Sequence, residues 1–304
     1  MEYILRTQNL TKKYGKNTVL NGVTMNVERG DIYGFVGENG SGKTTVIRLI
    51  CGLIFAENGE LELFGKTGKD VVGARKKLGA IVETPSIYQN FSAYDNLKMQ
   101  CGLLGINSDE KIKMVLEQVG LSELYNQRKK AGDFSLGMRQ RLGIAMALLG
   151  DPEFLILDEP MNGLDPQGIV EIRELIIRLN KEKGITFLIS SHILTELQLV
   201  ATKYGIISKG RVIKEITAEQ LHNECRRTTY IESNTPRDLA DLLMQTVDRK
   251  DLSFTPTGVK IYGELELNYI LQKIIDKGIK ITAITCNDTN FEEYYLSIIR
   301  GRYE

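Results

Sequence analysis

Phe35-Val36-Gly37-Glu38-Asn39-Gly40-Ser41-Gly42-Lys43-Thr44-Thr45 is the stretch on which the fold turns. Gly37 is followed by four residues and then by Gly42-Lys43-Thr44, the spacing of a phosphate-binding loop. Its glycines let the backbone bend until successive N–H groups face one anion, where a side chain would crowd the phosphates. Upstream, Ile32-Tyr33-Gly34-Phe35-Val36 reads as a short buried strand. Downstream, Thr45-Val46-Ile47-Arg48-Leu49-Ile50 begins an apolar helix. Strand, glycine turn and helix start put a helix dipole and free N–H groups on one phosphate. Lys43 is then expected on the β and γ phosphates and the Thr44 hydroxyl on Mg²⁺. The competing reading, a glycine-rich turn with a chance lysine, does not account for both flanks.

Farther along the chain, Phe154-Leu155-Ile156-Leu157-Asp158-Glu159-Pro160 is a buried strand that ends in two acids. After a phosphate loop, a strand-terminal Asp holds the Mg²⁺ shell, and Glu159, one step on, is placed to polarise a water. Asn162-Gly163-Leu164-Asp165-Pro166 reads as a turn with Asp165 as N-cap and Pro166 at the first helical position, leading into a helix that Gly184 stops. Ile185 to Ser190 is another buried strand, which finishes in Ser191-His192.

Weaker signals surround these. Tyr14, in the turn K-K-Y-G, is either a purine-stacking aromatic or a plain turn tyrosine. Before it, Tyr3 to Thr7 alternates as a strand, as does Val19 to Val27 after it. Gly59 to Gly65 and Leu78 to Val82 also read as strands. Glu83, at the end of the second, faces either Mg²⁺ or solvent. From about Phe91 to Leu149 the period becomes helical, an insert with Asn107 or Ser108 as a cap and Gly120 as a stop. Within it, Ser135-Leu136-Gly137 opens an apolar helix, as a second anion site or a simple cap.

Length and composition agree with a large domain plus a smaller one: 304 residues, 42% of them hydrophobic, support a sizeable core. With 39 basic against 39 acidic residues, there is no electrostatic case for a nucleic-acid partner. Cys51, Cys101, Cys225 and Cys286 are irregularly spaced and read as reduced thiols. No apolar run is long enough to span a bilayer, so a soluble chain is expected, with any membrane role reached through a partner. The tail, residues 226–304, reads as strand, helix, two strands, helix, strand and a last helix from Phe291 to Arg300, a small split βαβ unit.

The order of these motifs over about residues 3–220 resembles the ATP-binding subunit of an ATP-binding cassette (ABC) transporter. That resemblance implies an α/β P-loop NTPase cassette of residues 1–220: a parallel core sheet, an N-terminal antiparallel β-subdomain and a helical subdomain at about 91–150. A small α+β domain (226–304) follows. It implies ATP and Mg²⁺ as ligands, with Gly37 to Thr45 on the phosphates and Tyr14 on adenine. Lys43, Glu159 as general base and His192 would form the catalytic set, with Thr44, Asp158 and Glu83 toward the metal. Ser135 and Gly137 would contact the γ-phosphate held by a second subunit, and Asp165 would pass the state of one site to the other. Partners implied are a second copy, head-to-tail, and a separate polytopic permease that holds the subunit at the cytoplasmic face of the membrane.

Two positions depart from the family pattern. The signature, usually Leu-Ser-Gly-Gly-Gln, stands as Phe134-Ser135-Leu136-Gly137-Met138, and Glu83 replaces the glutamine usual after the first helix. The glutamate, together with Tyr88-Gln89-Asn90-Phe91-Ser92-Ala93-Tyr94-Asp95-Asn96-Leu97, resembles the bacitracin and lantibiotic-immunity exporters. A soluble cassette ATPase acting on ribosomes or DNA is the alternative. Those relatives carry two cassettes or a long coiled-coil insert, and neither is present. A P-loop kinase or GTPase leaves Ser135 to Gly137 and His192 without a role.

Overall fold

The computed structural model describes residues 2–225, 228–263, 265–287 and 291–299, and the chain divides into two units, Met1–Ala218 and Glu219–Glu304. The first unit opens with a hairpin of β1 (Tyr3–Tyr14) and β2 (Asn17–Glu28), closed by the two-residue turn Gly15-Lys16 with Tyr14 opposite Asn17. β1 runs well past Thr7, where the predicted strand stops, and Tyr14 ends this strand instead of sitting in the turn. The reason is that alternation is visible only while one face is buried, and beyond Leu10 the strand is half-buried or exposed on both faces. β3 (Ile32–Val36) is buried at every residue, α1 (Lys43–Cys51) follows the glycine loop, and β4 (Asn58–Leu63) adds to the free side of β1. A short helix α2 (Val71–Ala74) leads to β5 (Leu78–Ile81).

The helical insert between strands consists of α3 (Ala93–Leu104), α4 (Asp109–Gln118) and α5 (Leu136–Leu148). Each start is set by a hydroxyl. Ser92 and Asp95 form a reciprocal capping box on α3, Ser108 (not Asn107) caps α4 through the Lys111 N–H at 3.1 Å, and Ser135 caps α5 through the Met138 N–H at 3.2 Å. Then come β6 (Phe154–Asp158), α6 (Pro166–Lys183), β7 (Thr186–Ser191), α7 (Leu194–Gln198), β8 (Lys203–Ser208), β9 (Arg211–Thr217) and α8 (Ala218–Glu224).

The core sheet has the order β5-β6-β7-β3-β8-β9, parallel from β5 to β8 and antiparallel at β9. β6 and β7 are, like β3, buried at every residue, as strands covered on both faces must be. Register is the feature that matters for function. Val36 lies beside Ser191, and Asp158 beside Ser190, so β3, β6 and β7 end level with one another. Parallel α/β sheets bind ligands at such carboxyl ends.

The second unit begins within α8 and continues with β10 (Thr228–Ser233), α9 (Pro236–Met244), β11 (Leu252–Phe254), β12 (Gly258–Tyr262), α10 (Leu267–Asp276), β13 (Ile281–Asn287) and α11 (Phe291–Ile299). Its sheet, β11-β12-β10-β13, is antiparallel throughout, with β12 between β10 and β11. That is a split βαβ arrangement with its own core of Ile231, Leu239, Leu243, Val259, Ile261 and Ile274. The predicted ends at Arg226 and Arg300 lie outside the described residues.

Candidate active site

The glycine loop leaves β3 and enters α1 over a buried floor. Glu38, Asn39 and Gly40 are exposed, Ser41, Gly42 and Lys43 are buried, and Thr44 and Thr45 are half-buried in the first helical turn. A Cβ on Gly37 would stand 2.5 Å from the Ile207 carbonyl oxygen, so only glycine fits the close pass of loop against β8. Gly42 has φ +110°, and its missing Cβ would meet Leu20 at 2.6 Å, which packs the β1-β2 hairpin against the root of α1. The Ser41 hydroxyl is buried and, among the described residues, has no hydrogen-bond partner. An orphan hydroxyl in a loop of turned amides fits an oxygen-rich anion.

Lys43 bends back over the loop. Its Nζ donates to the carbonyls of Gly37 at 2.7 Å and Glu38 at 3.4 Å, and lies 3.3 Å from Glu159 Oε1. Glu159 also faces His192, with Oε2 2.8 Å from Nδ1. The three predicted catalytic side chains therefore share one place, reached from the ends of β3, β6 and β7. Glu159 sits at φ +51°, a region unfavourable for a residue with a long side chain, and its N–H donates to the Ser190 carbonyl at 3.1 Å and the Ser190 hydroxyl at 3.0 Å. The same hydroxyl donates to Asp158 Oδ1. Ser190 thus ties both acids to β7. A serine inside an apolar strand shows no local pattern in the sequence, and its only signal is its place two residues before His192.

Among the described residues, the Asp158 side chain makes no other hydrogen bond, and no group of three or more His, Cys, Asp and Glu side chains is clustered as a metal site. The donor set, one buried carboxylate oxygen and the Thr44 hydroxyl, is what Mg²⁺ takes when phosphates supply the remaining oxygens. Glu83 is different. It follows β5 at φ +62°, exposed, and its carboxylate is held 2.6 Å from Arg48 Nη2 of α1. Of the two directions expected, metal or solvent, the side chain takes the second: it stays at the surface and pairs with α1. At the end of α1, burial pushes the Cys51 thiol up to about 12.

Four predicted residues, Tyr14, Ser135, Gly137 and Asp165, have other contacts. Tyr14 is 47% exposed, with the Lys12 ammonium 5.4 Å from its ring centroid. The Ser135 hydroxyl is engaged by the Met138 N–H, and Asp165 caps α6 by accepting from the Gly168 N–H at 3.0 Å. The start of α5 packs against the turn before α6: a Cβ on Gly163 would lie 3.3 Å from Leu136, and one on Gly137 would lie 3.9 Å from Leu164.

This site can be compared with those of known proteins. The family model for ABC transporters matches residues 20–162. The chain is 41% identical over 307 residues to the bacitracin transport ATP-binding protein BcrA of Bacillus licheniformis, with 99% of each chain covered. The chain belongs to the ABC transporter family. It is likewise 38% identical to BcrA of Enterococcus faecalis over 99% of this chain and 98% of that one. The lantibiotic transport ATP-binding protein SrtF of Streptococcus pyogenes is 44% identical over 70% of this chain and 90% of its own length. Among solved structures, an ATP-binding cassette of an ABC transporter in its ADP conformation superposes with a TM-score of 0.66 at 27% identity, covering 73% of this chain and 94% of that one. The first unit is thus the ATP-binding, ATP-hydrolysing cassette of an ABC transporter. Among the described residues, no helix is long and apolar enough to cross a membrane.

Proposed function

We propose that this cassette drives export of a peptide antibiotic of the bacitracin or lantibiotic type through a separate membrane subunit. The observation that carries the catalytic part is the meeting of Lys43, Glu159 and His192 above the level ends of three parallel strands. Without nucleotide, Glu159 neutralises the Lys43 ammonium. When ATP fills the loop, Lys43 turns to the β and γ phosphate oxygens, and Glu159 is released to accept a proton from water. The water oxygen bonds to the γ-phosphorus as the bond to the bridging oxygen of ADP breaks. His192, at hydrogen-bond distance from Glu159, orients that carboxylate and donates to the γ-phosphate. Thr44 and Asp158 would hold Mg²⁺, which would supply charge neutralisation on the phosphate oxygens.

Ser135 and Gly137 complete the site of a second copy in a head-to-tail pair, and Asp165, on the adjoining turn, joins the two sites. The membrane partner is supported by an apolar surface beside Glu83. Leu53 and Leu104, both exposed, line a cleft of 490 Å³ with Val82, Pro85, Gln100 and Met146. The cargo class is supported by the names of the BcrA and SrtF relatives. The test is purification from detergent-solubilised membranes, followed by ATPase assay with and without bacitracin. Recovery of a polytopic protein whose presence makes turnover peptide-dependent supports the proposal. Recovery with ribosomes and no membrane protein favours the soluble-ATPase alternative.

A further inference from the structure

A cleft of 820 Å³ opens between α9 and the β11-β12 hairpin, and every residue that lines it belongs to the second unit. Its volume falls in the range of small-molecule sites, roughly 300–1,000 Å³. One wall is a stripe of α9. Pro236, Ala240 and Met244 follow one another at four-residue spacing and so lie on one flank of the helix, beside the face on which Leu239 and Leu243 enter the core. The core uses this flank only at Ala240, and Met244 remains 46% exposed. The other wall carries Phe254, 37% exposed, with the Arg249 guanidinium 4.5 Å from its ring centroid. A methionine and an aromatic ring, both left open to a cleft, give it an apolar interior that no part of the described chain fills.

The charges select the ligand. Arg237 and Arg249 line the cleft with one carboxylate, Asp238, which leaves one positive charge in excess. Among the described residues, Arg237 has no ion pair or hydrogen bond, and Arg249 donates from Nη1 to the Leu252 carbonyl at 3.3 Å. Guanidinium groups with open donors receive a carboxylate, sulfonate or phosphate in bidentate geometry. The ring of Phe254 adds a flat apolar face, which a planar body covers better than a chain does. We propose that this cleft binds a small organic anion, one negative charge on a flat apolar body, and that the second unit is a ligand-binding domain in addition to the cassette. Met244 and Phe254 enclose the body, and Arg237 and Arg249 hold the charged group. None of these residues takes part in nucleotide binding or in the reading of the cargo, so the site stands or falls apart from both.

The chain has no tryptophan, so Phe254→Trp puts a single reporter in the cleft of the full-length protein and keeps an aromatic ring beside Arg249. The probe is anilinonaphthalene sulfonate, a flat aromatic monoanion. Tryptophan emission is expected to fall along a saturable curve as energy passes to the bound probe. Phenylnaphthylamine, which has the rings without the charge, and inorganic sulfate, which has the charge without the rings, should each bind at least about tenfold more weakly. Arg237→Gln and Arg249→Gln, both at exposed positions, should each lower affinity for the sulfonate about tenfold and leave the uncharged probe unchanged. Absence of saturable quenching, equal binding of the charged and uncharged probes, sulfate binding as tight as the aromatic sulfonate, or affinity untouched by both arginine variants would each overturn the site. Loss of both aromatic probes in the two variants would overturn it as well, since the arginines would then shape the walls instead of meeting the anion.

Discussion

The Lys43 ammonium lies 3.3 Å from the Glu159 carboxylate, although the two arrive from different strands of the core sheet. The contact gives a nearly buried lysine a counter-charge, and in the proposed mechanism a phosphate takes the place of that carboxylate. Glu159→Gln removes both the lysine's anionic partner and the proposed general base. ATP affinity is expected to hold or tighten while turnover falls by about 10² to 10⁴-fold. Nucleotide binding by fluorescence and phosphate release measured on one preparation check this, and wild-type turnover would reject the assignment. With ATP and Mg²⁺ the same variant should accumulate the head-to-tail pair in light scattering.

Ser190→Ala removes the hydroxyl that holds Asp158 and the Glu159 N–H together. We expect kcat to fall about tenfold, with the Kd for ATP changed by no more than about threefold, because positioning is lost and the phosphate loop is untouched. An unchanged kcat would show that the strained backbone at Glu159 holds without it.

Tyr14 is exposed and sits outside the packed core, so Tyr14→Ala should leave the melting temperature unchanged. If the ring stacks on adenine, ATP binding weakens by about 1–3 kcal/mol and Tyr14→Trp restores it. Equal affinity for ATP and inorganic triphosphate in the wild type would remove the role.

Gly37→Ala drives a methyl to 2.5 Å from the Ile207 carbonyl and 2.7 Å from its side chain. An overpacking cost of about 1–3 kcal/mol is expected, lowering the melting temperature by about 2–4 °C per kcal/mol and abolishing nucleotide binding. A calorimetric scan with and without ATP separates the two effects.

Glu153 accepts from Lys77 at 2.6 Å and Arg29 at 2.8 Å, and these cations, Lys77 first, hold its carboxyl below the ordinary 4.5. A lowered carboxyl pKa stabilises the fold above its unfolded value and loses that contribution as pH falls through the folded value. Glu153→Gln should therefore be slightly less stable than wild type at pH 7, by under about 1 kcal/mol for so exposed a cluster, and equal to it well below pH 4.5. Asp31 has the opposite sign, because burial raises its carboxyl. Denaturant melts at both pH values measure the difference.

Local spacing determined much of this protein. The glycine loop, the apolar run ending in Asp158-Glu159, the Asp165-Pro166 helix start and the βαββαβ tail are short-range patterns, each produced by hydrogen bonds and burial within a few residues. Tertiary structure alone decided which ends meet. Strand order and register, set by packing across the whole sheet, brought Glu159 to Lys43 and His192 and gave Ser190 its two acids. Contacts between distant segments likewise paired Glu83 with Arg48 and carried β1 on to Tyr14 through its pairing with β2. Periodicity reports which face of a segment is buried. It carries no information about the neighbour that buries it, because that neighbour is chosen by contacts distant in the chain.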